Sequence, residues 1–252
     1  MERLDGVRAL ITGSTSGLGL AMATGLAEAG AQVVITGRST ERAREVAGGI
    51  RGATASGLDT RDENSVTAAV DRVWRELGGI DLLVNNAGIG MRTVNPRFVT
   101  HPQGFWEVPA DGFRAVVDTN LTGYFLVTRA VVPRMLEAGS GRIVNVTMNH
   151  ATMVRPGFVP YGPSRAGAEA LSRIMAADLA DTPVRVNQLL PGGITATGML
   201  QDVEIPPGAN VLPAEVMQEP IRWLASPEAA QVHDERIVAA EFPQWLERFR
   251  GR

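Results

Sequence analysis

Thr12-Gly13-Ser14-Thr15-Ser16-Gly17-Leu18-Gly19 decides the fold. The apolar run at residues 7–12 leads into it, and residues 18–29, with apolar side chains at helical spacing, lead out of it. Strand, glycine-rich turn and helix in that order make a phosphate-binding unit. Glycine lets the backbone turn tightly and lets its amides approach a pyrophosphate, while the helix N-terminus adds partial positive charge. The spacing is Gly-x-x-x-Gly-x-Gly, not the Gly-x-Gly-x-x-Gly of the common dinucleotide fingerprint. Candidate cofactor contacts in the turn are Gly13, Thr15, Ser16, Gly17, Leu18 and Gly19.

Outward from the turn the alternation continues. Apolar runs of strand length stand at residues 7–12, 32–37, 81–85, 142–147, 184–190 and 236–241, with a weaker one at 54–58. Helical spacing fills residues 18–29, 40–47, 62–77, 113–137, 164–180 and 213–225. Strands alternating with helices predict βαβ units. The expected fold is α/β, a single-domain, Rossmann-like, doubly wound parallel sheet spanning residues 1–252 with helices on both faces. Two stretches break the rhythm. Residues 91–109 hold Pro96, Pro102 and Pro109 with Phe98, Phe105 and Trp106, and residues 194–212 hold Gly198, Pro206, Pro207 and Gly208. Prolines at that density forbid a long helix. Both stretches follow strand ends, outside which the ligand crevice of an open α/β sheet lies, so they are expected to roof a substrate pocket.

Composition narrows the function. Over 252 residues, 44% are hydrophobic and 20% charged, which excludes a disordered chain, a collagen-like repeat and a coiled coil. Acidic residues number 27 against 24 basic ones, a net charge of −3 without a basic tail, so no nucleic acid partner is expected. The absence of cysteine removes disulfides, thiol nucleophiles and thiolate metal sites. His101, His150 and His233 are the only histidines and fall in separate loops, so no metal is expected. No apolar run suits a membrane span, and Met1-Glu2-Arg3-Leu4-Asp5-Gly6 lacks the pattern of a signal peptide. A cytoplasmic protein acting on a small molecule is the expectation. All 24 basic residues are arginine.

The end of the second strand distinguishes one dinucleotide from another. A carboxylate there would bind the adenosine ribose diol, and an arginine would accept a 2′-phosphate. The chain reads Thr36-Gly37-Arg38-Ser39. Arg38, with its planar fork of donors, favours NADP(H) over NAD(H).

These residues carry a family likeness. The turn at residues 12–19, Leu58-Asp59, Asn85-Asn86-Ala87-Gly88, Asn120 within residues 118–123, the strand at 141–147, Tyr161-Gly162-Pro163-Ser164-Arg165 and Pro191-Gly192-Gly193 occur in order. Along essentially its whole length the chain resembles the short-chain dehydrogenase/reductase family. The resemblance implies that Asp59 contacts the adenine and that Asn86, Ala87 and Gly88 line the dinucleotide. It implies that Asn120 holds a relay water, that Tyr161 is the acid/base at the reacting oxygen, and that Ile194 lies against the nicotinamide. The residues themselves support the Tyr161 role. A phenol is a poor base near neutral pH unless a cation lies close, and Arg165, four residues on, shares one helix face with Tyr161.

The chain departs from the family's pattern at three places. Arg165 stands where the family has Lys; it keeps the charge and can bond ribose hydroxyls, but it cannot release a proton. Met148 stands where the family has Ser, thirteen residues before the Tyr. A thioether donates no hydrogen bond, and losing one donor to a developing oxyanion costs on the order of 10²–10³ in rate. Thr147, Asn149 or His150 would have to supply a donor instead. Near the C-terminus, His233-Asp234 replaces the family's frequent Thr-Gly, and an amphipathic tail follows at residues 243–250. That region commonly helps build a tetramer in the family, and the resemblance implies a homodimer or homotetramer. The expected activity is NADP(H)-dependent hydride transfer to or from a carbonyl/alcohol pair, with an enone or imine as a further acceptor. A redox-neutral enzyme of this fold, using His150 or Tyr161 as acid, and a non-catalytic nucleotide-binding protein are the alternatives that Met148 favours.

Overall fold

The computed structural model describes residues 3–200, 203, 205 and 208–251. Its strands are β1 (Arg8–Ile11), β2 (Gln32–Gly37), β3 (Ala53–Gly57), β4 (Leu82–Asn85), β5 (Gly141–Val146), β6 (Val184–Leu190), β7 (Ile194–Thr195), β8 (Val211–Leu212) and β9 (Arg236–Val238). Seven of them form one sheet in the order β3-β2-β1-β4-β5-β6-β9. Every neighbouring pair is parallel, with Ala9 opposite both Val33 and Leu82. Strand order reverses at β1 and β4, which opens a crevice at their carboxyl ends.

The helices are α1 (Gly17–Glu28), α2 (Thr40–Gly48), α3 (Glu63–Leu77), α4 (Ala110–Val117), α5 (Gly123–Glu137), α6 (His150–Met153), α7 (Tyr161–Asp178), α8 (Gln218–Ala225) and α9 (Phe242–Arg250). Alternate strand residues feed two apolar layers, as the two-residue period of a strand requires. Ile11, Val33, Ile35, Val84 and Leu189 pack with residues of α1, α2, α8 and α9. Leu10, Val34, Leu83, Ile143 and Val186 pack with residues of α3, α5 and α7. Both faces of the sheet are thereby covered, which is why its strands read as nearly continuous apolar runs. Each fully buried side chain of this kind contributes roughly 1.5–3 kcal/mol.

Three elements differ from the sequence expectation. The long helix expected over 113–137 begins earlier and is divided by a π-turn at Asp118–Thr122 that carries the buried Asn120. The strand expected over 236–241 stops at Val238 and tightens into a 3₁₀ turn, Ala239–Glu241. The expected helix at 164–180 begins at Tyr161, so Tyr161 lies in its first turn. Residues 91–109 contain only short 3₁₀ turns, Met91–Thr93 and Phe105–Glu107. Within residues 194–212, β7 and β8 pair in parallel, while Pro206 and Pro207 lie outside the described residues. The amphipathic tail is α9, whose Trp245 and Phe249 stack on each other and meet Trp223 edge-on. Among the described residues no helix is long and apolar enough to cross a membrane.

Candidate active site

The glycine turn closes on bare backbone. Gly13 and Gly17 have φ of +62° and +57°, a region that side chains rarely adopt. Thr12 Oγ1 accepts hydrogen bonds from the backbone N–H groups of Asn86 (2.9 Å) and Ala87 (3.0 Å). Asn86 Nδ2 returns two, to the carbonyls of Thr12 (2.9 Å) and Gly13 (3.0 Å). The loops after β1 and β4 therefore touch so closely that a Cβ at Gly13 would stand 2.8 Å from Ala87 Cα, and one at Gly19 would collide with the Asn86 amide. Ser16 precedes α1 in an extended conformation, and its side chain makes no capping bond. The first turn of α1 has no acidic residue, so its N–H groups remain suited to an anion. Thr197 reaches this turn, its side chain 3.4 Å from where a Gly17 Cβ would be.

At the carboxyl end of β2, a pocket of about 470 Å³ is lined by Thr15, Gly37, Arg38, Ser39 and Arg42. Arg38 is exposed at this pocket. Ser39 Oγ caps α2 by accepting the Arg42 N–H at 3.1 Å, and the Arg42 guanidinium pairs with Glu45 at 2.7 Å. Arg42 is a second cation at the pocket that the sequence reading did not single out; its place one turn after Arg38 was the available signal. Asp59 lies after β3 with its carboxylate forked by Arg61 at 3.0 and 2.7 Å. That hydrogen bonding holds the Asp59 carboxyl below its ordinary range, and the Arg38 charge adds to the effect.

Tyr161 and Arg165 do share one face of α7, with the guanidinium carbon 5.4 Å from the Tyr161 ring centroid. The other tyrosine of the chain lies on the same cation. Arg165 is buried, and its Nη1 donates to Tyr124 Oη at 2.7 Å and to the Val146 carbonyl at 3.1 Å. Tyr124 Oη in turn donates to that carbonyl at 3.1 Å. Burial opposes the charge on Arg165, but the two tyrosines outweigh it and move the pKa upward. Burial raises the Tyr124 pKa despite the opposing charge of Arg165. Sequence reasoning missed Tyr124. Its one signal was its position four residues after Asn120. Arg165 Nε is buried without a partner among the described residues, and a Cβ at Gly88 would collide with Nη2.

Asn120 clamps the same region. Its Oδ1 accepts the Ile89 N–H at 2.9 Å, and its Nδ2 donates to the Ile89 carbonyl (3.0 Å) and to Ser164 Oγ (3.1 Å). Ser164 Oγ donates to the Tyr161 carbonyl at 2.8 Å, so the clamp reaches the turn of α7 that holds Tyr161. Both Nδ2 hydrogens are engaged, which leaves Oδ1 as the side-chain group able to hold a relay water.

Met148 packs against an apolar cluster formed by Met91, Phe98 and Phe158, which Tyr161 also joins. The neighbours expected to replace the missing donor are drawn elsewhere. Thr147 Oγ1 donates to Glu169 at 2.9 Å, His150 Nε2 lies 2.7 Å from the same carboxylate, and Asn149 Nδ2 donates to the Gly192 carbonyl at 3.1 Å. Arg236 Nε completes the set around Glu169 at 2.9 Å and its Nη2 donates to the Met148 carbonyl at 2.7 Å. Burial pushes the Glu169 pKa up, but these donors prevail and bring it below the ordinary range. Glu169 was missed in the sequence although it lies one turn beyond Arg165 on α7. Ile194 is 41% exposed at the start of β7, and Met199 Sδ stands 3.9 Å from Tyr161 Oη. Among the described residues no group of three metal-ligating side chains is assembled.

The glycine turn, Arg38, Asn86 and Met148 all follow carboxyl ends of central strands, and Tyr161 and Arg165 lie on α7. A doubly wound sheet with such a site suits an oxidoreductase. The chain belongs to the short-chain dehydrogenase family, whose sequence pattern it matches over residues 8–206. It is 34% identical over 194 residues to gluconate 5-dehydrogenase of Gluconobacter oxydans, covering 75% of this chain and 72% of that protein. It is 34% identical over 250 residues to D-threitol dehydrogenase of Mycolicibacterium smegmatis, covering 94% and 92%. Among solved structures, gluconate 5-dehydrogenase from Burkholderia cenocepacia, in complex with NADP and tartrate, superposes with a TM-score of 0.83 at 30% identity over 96% of this chain and 97% of that one. The 3-ketoacyl-(acyl-carrier-protein) reductase from Brucella melitensis, complexed with NADH, gives 0.82 at 31% identity over 93% and 97%.

Proposed function

We propose that the chain is an NADP(H)-dependent reductase or dehydrogenase that interconverts a carbonyl compound and its alcohol, with Tyr161 as the acid/base. The observation that carries the reading is the placement of Tyr161 over the buried Arg165 cation, with a glycine turn that has no room for a Cβ at Gly13 or Gly19. The residues fit the cofactor. The first turn of α1 would take the pyrophosphate, and Arg38 with Arg42 and Ser39 would take the 2′-phosphate. Arg165 Nη2 fills the space that the missing Gly88 side chain leaves, and the unpartnered Arg165 Nε suits a ribose hydroxyl. Asp59, held ionised by Arg61, would face the adenine, and Ile194 the nicotinamide.

When bound, the reduced cofactor supplies two electrons and one hydrogen to the carbonyl carbon. Tyr161 gives its hydroxyl proton to the carbonyl oxygen as the π bond breaks, and it is reprotonated from solvent. Arg165 stabilises the phenolate through its fixed charge, since a guanidinium does not release a proton. Asn120 positions the Tyr161 turn through Ser164. With Met148 in place of a donor, Tyr161 is the one side-chain hydroxyl assigned to the reacting oxygen. An enone or imine acceptor would tolerate that arrangement well. The exposed Phe113 and Phe125 of α4 and α5 would suit self-association into a homodimer or homotetramer, and a cytoplasmic setting fits the cofactor.

Met148 also favours a second reading, a member of the fold that binds the nucleotide without redox turnover. Titration of the purified protein with NADPH and, separately, with NADH, read by calorimetry, tests the cofactor reading. Micromolar binding of NADPH, at least tenfold tighter than NADH, is expected from about 1.4 kcal/mol or more between Arg38 and the 2′-phosphate. Binding of neither dinucleotide overturns the reductase reading.

A further inference from the structure

We infer that the Tyr161 site takes uncharged carbonyl compounds with apolar flanks, such as aryl or long-chain alkyl ketones, and discriminates against keto sugar acids and polyols; the inference rests on the reductase reading above. Three segments meet around Tyr161, and each presents apolar side chains. Residues 91–109 contribute Met91 and Phe98, and residues 148–158 contribute Met148 and Phe158. Phe98 and Phe158 meet edge to face at 5.7 Å between centroids. The segment after β7 contributes Met199, whose sulfur lies 3.9 Å from the Tyr161 hydroxyl.

Among the described residues, several polar side chains of the same segments are committed to other partners. Arg92 donates to the Gly198 carbonyl, Asn95 Nδ2 to the His101 carbonyl at 2.8 Å, and the Glu107 carboxylate accepts the Gly104 N–H at 2.7 Å. Asn149 and His150 are held by Gly192 and Glu169 as described. Arg155 lies with its guanidinium 5.1 Å from the Phe158 ring centroid. A carboxylate or a row of hydroxyls brought against Phe98, Met148, Phe158 and Met199 would exchange water for apolar atoms, which is the costly case for a polar group. An apolar flank would lose only its contact with water. Met148 fits this account as well as the missing donor does: it packs in the same apolar cluster as Tyr161.

The test uses the full chain loaded with NADP⁺, with which a ketone binds but cannot be reduced. Calorimetric titration of 4-phenyl-2-butanone and of 5-keto-D-gluconate reads binding alone, and NADPH oxidation with each ketone reads kcat/KM. The phenyl ketone is expected to bind and to show a kcat/KM at least about tenfold higher, the discrimination available from a methylene or two in an apolar pocket. Met148→Gln should reduce that ratio about tenfold and Met148→Leu should restore it, with NADPH affinity as the check on folding. Preference for 5-keto-D-gluconate overturns the inference, as does failure of both ketones to bind protein that has taken up NADP⁺. Failure to bind NADP⁺ at all is the distinct failure of the reductase reading, and this inference falls with it.

Discussion

Arg165 and Tyr124 form a unit that neither residue discloses alone. A buried guanidinium needs its donors satisfied, and Nη1 finds Tyr124 Oη at 2.7 Å. Tyr124 is buried too, and its own hydroxyl donates to the Val146 carbonyl. Tyr124→Phe removes the acceptor from a charged donor and the donor from a carbonyl. The expected cost is about 1.5–3 kcal/mol of folding stability, the range for a hydrogen bond to a charged group. Urea denaturation followed by tryptophan fluorescence measures it. A loss under about 0.5 kcal/mol would mean that Arg165 is held by other contacts.

Among the elements, the π-turn between α4 and α5 has the clearest consequence. An added residue in a helical turn redirects a side chain and often marks a functional site. Here it carries Asn120 inward, where that one amide joins Ile89 after β4 to Ser164 on α7. Asn120→Ala leaves buried partners unmet on both sides. The expected destabilisation is about 2–4 kcal/mol, since each orphaned buried group costs about 1–3 kcal/mol and water recovers part of it. Chemical denaturation reads the loss; stability within 1 kcal/mol of the parent would show that the two elements are held together without the clamp.

For the whole molecule, Glu169 links stability to acidity. Its carboxylate draws in Thr147 after β5, His150 of α6 and Arg236 of β9, so one side chain of α7 ties three other segments together. Its folded-state pKa lies below the ordinary value, so the folded chain binds its proton less readily than the unfolded chain does. The resulting stabilisation is fully present above an ordinary glutamate pKa of about 4.3 and is lost as pH falls through the lowered folded value. Asp59 acts in the same sense through Arg61. Glu169→Gln should therefore lower stability near neutral pH and flatten its decline below about pH 4.3. Denaturation midpoints from pH 3 to 7 for both proteins check this, and parallel profiles would refute it.

The sequence by itself determined the sheet, the glycine turn, Arg38 at the end of β2 and the Tyr161–Arg165 pair on one helix face. Each depends on local periodicity or on a spacing of a few residues, which the chain carries wherever it goes. The tertiary structure alone decided what those side chains meet. Tyr124 reaches Arg165 across 41 residues, and His150 turns to Glu169 across 19. Thr147, Asn149 and His150 were the alternative donors that the sequence offered, and the folded chain sets Glu169 within reach of Thr147 and His150. The division of the helix at Asn120 and the short β9 likewise arise from contacts between elements, not from their own sequences. A hydrogen-bond partner is set by which elements pack face to face, and only the folded chain brings those faces together.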